Sequence, residues 1–133
     1  MDVTCDYYFP TPVWRTSFSK DVALEPIVDQ IYRLEKKNKS RQKSNRGPLS
    51  FQSEDFKYDA NKKNDALNDL LFHIGSVVQA IHQTDRKGEV ILANAWFNIN
   101  RKDGMNIPHT HPGSIYSGVI WLKASEGAGE FVI

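Results

Sequence analysis

Apolar residues recur along the chain with two different periods, and the change falls near Gly88. Before it, Leu24, Ile27, Val28, Ile31 and Leu34 follow one another at helical spacing, and so do Leu67, Leu70, Leu71, Ile74, Val77, Val78 and Ile81. Steps of three and four keep side chains on one face of a helix, so the two stripes predict two helices. Pro26 fits only in a first turn, so the first helix is expected to begin close to Leu24. Asn64 or Asp65 is placed to cap the second. His73 and His82 lie nine positions apart on that helix and so face roughly opposite sides. They cannot share a metal and read as ordinary polar or boundary residues.

After Gly88 the period is two. In "VILANAWFNIN", Ile91, Ala93, Ala95, Phe97 and Ile99 face one way, while Leu92, Asn94, Trp96, Asn98 and Asn100 face the other, as on a strand. Asp103-Gly104 marks a tight turn. "SIYSGVIWLK" predicts a second strand, "ASEGAG" another turn, and "EFVI" the start of a third strand. The leading segment "CDYYFPTPVWRTSF" is aromatic and β-branched with two prolines, which suggests an edge strand or extended arm. The expected fold class is α+β in a single domain spanning 1–133. Its helical support covers about 20–86 and an antiparallel β-meander covers about 89–133.

Composition narrows the partners. At 133 residues the chain can bury one core, and a net charge of +1 gives no strong attraction to nucleic acid or to an anionic membrane. The run "KKNKSRQKSNRGP" holds Lys36, Lys37, Lys39, Arg41, Lys43 and Arg46. It lacks interleaved aromatics and reads as a solvated helix end leading into a loop, not as a nucleic-acid patch. No apolar run approaches the roughly 20 residues a membrane span needs, and the N-terminus lacks a signal-peptide stretch. Cys5 is the single cysteine, so no intrachain disulfide can form. A reducing, cytoplasmic setting is expected.

Two of the four histidines stand one residue apart, in "NIPHTHPGSIYSGVIWLK" (106–123). In extended backbone, His109 and His111 project to the same face, which makes a bidentate start to an iron, zinc, copper or nickel site. The alternative is two loop histidines without a ligand. A third donor is needed, and Asp103, Glu126 and Glu130 are available, but their spacing singles out none of them.

The stretch "NAWFNINRKDGMNIPHTHPGSIYSGVIWLK" resembles the signature of the 2-oxoglutarate and iron(II)-dependent oxygenases of bacterial and phage origin. In that family a Trp-Phe/His-Asn strand leads to His-x-His-Pro-x-Ser and then to a Ser-Gly-Val strand. "FPTPVW" (Phe9 to Trp14) and "KSNRGPLSFQSEDF" (Lys43 to Phe56) resemble the family's N-terminal arm and its Ser-Asn-x-Gly-Gly-Trp-Gln-Ser loop. Here Gly47 is followed by Pro48-Leu49-Ser50-Phe51 where the family carries Gly-Trp.

The resemblance implies a double-stranded β-helix, the jelly-roll or cupin-like barrel, with Fe(II) as cofactor and 2-oxoglutarate as cosubstrate. It assigns His109 as the first iron ligand. His111 falls where relatives carry Asp or Glu, which leaves its role as a ligand open and would raise the site's net charge by one unit. Asn98 and Ser117 are candidates for hydrogen-bonding the cosubstrate, or else ordinary polar positions of a ladder. Trp96 and Trp121 are expected to pack the barrel, the alternative being to stack on a substrate. The family's distal histidine and its cosubstrate-binding arginine have no counterpart here, and the end at "GEFVI" reads as a truncation. The expectation is therefore a dioxygenase or an inactive N-terminal fragment of one, with homodimerisation through an open barrel edge. The rival is a non-catalytic cupin-like module holding zinc or nickel. The resemblance does not indicate a substrate.

Overall fold

A computed structural model gives the architecture and describes residues 3–8, 11–18, 23–37 and 49–132. Within the sequence motifs, Phe9, Pro10, Lys39, Arg41, Lys43, Arg46 and the Gly47-Pro48 turn signal lie outside the described residues.

The fold is α+β: two helices and two small antiparallel sheets of two strands each. Strands β1 (Val3–Tyr8) and β2 (Thr11–Thr16) pair from Val3↔Thr16 to Tyr8↔Thr11. The leading aromatic segment is thus a hairpin, not a lone arm. The sequence around Phe9-Pro10 lacks the Asn-Gly or Asp-Gly signal that announces a two-residue hairpin turn. Asp6 and Arg15 lie diagonally across one face and form an ion pair, whereas Trp14 lies on the other.

Helix α1 (Glu25–Lys37) begins where the proline argument puts it, with Val28 N–H donating to the Leu24 carbonyl at 3.0 Å. Helix α2 (Ala66–Asp85) is capped by Asp65, whose carboxylate accepts from Asn68 N–H at 3.0 Å. Asn68 is itself buried, and its side chain is fully used. Its Oδ1 accepts from Asp59 N–H at 2.9 Å, and its Nδ2 donates to the carbonyls of Asp59 and Lys62 at 3.0 and 2.9 Å. This ties the turn preceding α2 onto the first turn of the helix.

The core forms where the two apolar stripes meet. Ile27 and Ile31 of α1 are buried with Leu67 and Leu70 of α2, and Phe97, Ile99 and Leu122 pack against them from the C-terminal half. Burying such side chains contributes roughly 1.5–3 kcal/mol each before the entropy of ordering is subtracted.

Strands β3 (Ser50–Gln52) and β4 (Asn98–Asn100) pair antiparallel, with Phe51 opposite Ile99. Beyond Gln52 the ladder takes in an extra residue. Ser53 N–H still reaches the Phe97 carbonyl at 3.0 Å, but the next pairing is Phe56 with Ala95. Three steps on one strand therefore match two on the other, which is a bulge. The Ser53 hydroxyl fills the gap by accepting from Phe97 N–H at 2.9 Å.

The period-two pattern of 89–100 is realised from Ala95 onward only. Upstream, Gln79 of α2 holds the chain: its Nε2 donates to the Gly88 carbonyl at 3.1 Å and its Oε1 accepts from Val90 N–H at 2.9 Å. Ile91 is left 86% exposed. The alternation in 114–132 gives no ladder strand among the described residues. A strand's backbone groups need a neighbouring strand, and among the described residues none pairs with this segment. Ile115, Val119, Trp121 and Phe131 are accordingly exposed, although Trp121 and Phe131 pack edge to face on each other at 5.4 Å.

Candidate metal-binding histidine pair

The loop that carries the histidines is anchored on both sides. On entry, the turn Arg101–Gly104 closes with Gly104 N–H on the Arg101 carbonyl at 2.7 Å, and Asp103 takes the left-handed conformation (φ 65°). The Ser50 hydroxyl then donates to the Met105 carbonyl at 3.4 Å. On exit, Ser114 N–H donates to the His111 carbonyl at 3.2 Å across Pro112-Gly113, with Gly113 at φ 82°. Proline followed by a glycine of positive φ is the type II turn arrangement, and a β-carbon at Gly113 would be strained.

Between these anchors the two imidazoles come together, their ring centroids 4.9 Å apart and their planes at 71°. His109 Nδ1 lies 2.7 Å from the Ile107 carbonyl oxygen. A carbonyl only accepts, so Nδ1 carries the hydrogen and, in the neutral ring, Nε2 keeps its lone pair. A backbone carbonyl fixing one ring nitrogen so that the other can bind a metal is the usual second partner of a metal-ligating histidine. His111 also meets Trp96, with centroids 5.3 Å apart and a 35° tilt. His111 thus contacts both other rings, and both histidines are exposed.

The other candidates are distributed differently. By strand alternation Asn98 shares the outward face with Trp96, on the side of the sheet from which Trp96 reaches His111, and it is exposed. Ser117 is exposed too, and among the described residues neither makes a hydrogen bond or ring contact with the pair. Asp103, Glu126 and Glu130 do not converge on it either: among the described residues no three His, Cys, Asp or Glu side chains gather as a metal-holding group. Two imidazoles are thus brought together as possible metal donors, and the described residues supply no third ligand.

His73 is exposed, as a boundary residue would be, but His82 is 6% exposed. Its Nδ1 lies 3.1 Å from the Tyr116 hydroxyl. A signal for this burial exists in the sequence: His82 follows Val78 by four positions and Leu71 by eleven, so it continues the apolar stripe of α2. Its partner is 34 residues downstream and could not be read from that pattern.

No helix among the described residues is long and apolar enough to cross a membrane. Comparison with protein-family models, with curated proteins and with solved structures finds no match.

Proposed function

We propose that this chain carries part of an Fe(II)- and 2-oxoglutarate-dependent oxygenase centre, with His109 and His111 as two of its protein donors and a jelly-roll barrel as its frame. The observation that carries the reading is the His109 Nδ1 hydrogen bond to Ile107, which frees Nε2 within reach of a second imidazole. The order of motifs along the chain supports it: the aromatic arm, the Ser50–Phe56 segment, the Trp96–Asn98 strand and the His-x-His-Pro-x-Ser loop. Iron and cosubstrate, when bound, would couple oxidative decarboxylation of 2-oxoglutarate by O2 to hydroxylation of a C–H bond, giving succinate and carbon dioxide. The chain's own residues hold and orient. The imidazoles bind the metal, Trp96 covers one side of His111, and the Asn98 amide or the Ser117 hydroxyl donates a hydrogen bond to a cosubstrate carboxylate.

Anaerobic titration with Fe(II) and 2-oxoglutarate tests this. A weak visible charge-transfer band that His109→Ala abolishes is expected. The absence of a band at any concentration contradicts it.

A second reading, the non-catalytic metal-binding module, is favoured by the exposure of both imidazoles and by the two-donor set. It predicts metal uptake with no succinate release. Under either reading the exposed Ile115, Val119, Trp121 and Phe131 favour pairing with a second copy of the chain, and a monodisperse monomeric mass in solution removes that pairing. The exposed free thiol of Cys5 suits the reducing cytoplasm.

A further inference from the structure

Between Ile107 and Trp121 the side chain that is half-buried is that of Tyr116. The other side chains of the segment bearing the histidine pair are exposed, His111 resting against Trp96. Beside the His111–Trp96 contact, Tyr116 attaches the segment to the body of the molecule, and three observations define that attachment. Its hydroxyl meets His82 Nδ1 of α2 at 3.1 Å. The two rings stand edge to face with centroids 5.8 Å apart at 89°. Trp14 of β2 packs edge-on against the same tyrosine at 5.9 Å and 77°. Helix, hairpin and histidine segment thus converge on one phenol ring.

We infer that His82 is a positioning residue for the His109/His111 pair, acting through Tyr116. This rests on the metal-binding reading for its purpose, but not for its geometry. His82 is buried, and a buried imidazole nitrogen needs a hydrogen-bond partner, which Tyr116 supplies. Because α2 is held by Leu67, Leu70 and Leu71 in the core, His82 is a fixed point. From Tyr116 the path to the metal pair is short and stiff: two residues back is Ser114, whose amide is bonded to the His111 carbonyl across the Pro112-Gly113 turn. Fixing the phenol therefore fixes the backbone of His111. Without the His82 bond, Tyr116 keeps only its ring packing against His82 and Trp14.

The test compares the full chain with Tyr116→Phe, which keeps the ring contacts and drops the hydroxyl, and with His82→Leu and His82→Asn. An asparagine amide can occupy the place of Nδ1, so it serves as the conservative rescue. Two quantities are measured: 15N order parameters of residues 109–118 without metal, and the affinity for Zn(II) as probe. Tyr116→Phe and His82→Leu are expected to lower the order parameters from the rigid range near ~0.85 toward ~0.6 or less. They should also weaken Zn(II) binding roughly tenfold, with His82→Asn restoring both. Order parameters unchanged in Tyr116→Phe overturn the inference, and so does a loosened segment that binds Zn(II) as tightly as the wild type. A wild-type chain that takes up no Zn(II) overturns the metal reading instead, while the order parameters still decide whether His82 holds the segment.

Discussion

A methyl group added at Gly104 would lie 2.8 Å from Ser50 Oγ and 2.9 Å from the carbonyl oxygens of Arg101 and Leu49. Two of these three neighbours are backbone and cannot swing away, so Gly104 is required for close approach and not for its own φ. Gly104→Ala is expected to destabilise the fold by about 1–3 kcal/mol, read as a lower urea midpoint, and to loosen the entry to the histidine loop. Asn68 offers the complementary case. Asn68→Ala leaves the amide of Asp59 and the carbonyls of Asp59 and Lys62 without their partner, at a cost of roughly 2–3 kcal/mol. The Asp103-Gly104 pair was legible as a turn and Asp65 as a cap. The reason for Gly104 was not, because two of the three atoms that exclude a β-carbon come from Leu49 and Ser50, more than fifty residues away.

Among the elements, the helices were the most legible, since an apolar stripe at helical spacing is set by residues that are near neighbours in sequence. Leu70 sits at the α1–α2 seam at 4% exposure, and Leu70→Ala should cost about 2–5 kcal/mol in the same urea measurement. The β half was legible only where a partner exists. Phe97 and Ile99 take their expected inward places because β3 lies beside β4, and the ladder carries its bulge through the Ser53 hydroxyl. Ile91 and Ala93 obey the same alternation but are exposed, because Gln79 draws residues 88–90 onto α2. Period two states which residues could share a face, and a neighbouring strand decides whether they do. The histidine pair follows this logic: its spacing announced the shared side, but the Ile107 carbonyl and the Trp96 ring that frame it come from the fold.

For the molecule as a whole, long-range order depends on a few ties between distant segments. Arg101 grips Glu35 of α1 with both guanidinium nitrogens, at 2.7 and 2.9 Å. The hydrogen bond to Glu35, with its charge, raises the Arg101 pKa above its already high ordinary value. A raised value means that the arginine's contribution is fully present below the ordinary arginine pKa and is lost only as pH climbs past the raised one, so it is constant across any working pH. The guanidinium is half exposed, and Arg101→Ala should therefore cost only about 0.5 kcal/mol, less in high salt. The Tyr116–His82 tie is of another kind, since it attaches the segment on which the proposed chemistry depends. The most direct test of the account is long-range 1H–15N correlation NMR of the histidine rings, before and after addition of Zn(II). The account predicts that His109 carries its hydrogen on Nδ1. On titration, His109 Nε2 and a nitrogen of His111 should shift together, while exposed His73 does not respond. A His109 ring protonated on Nε2, or a Zn(II) response shared equally with His73, would contradict the assignment of this pair as a metal site.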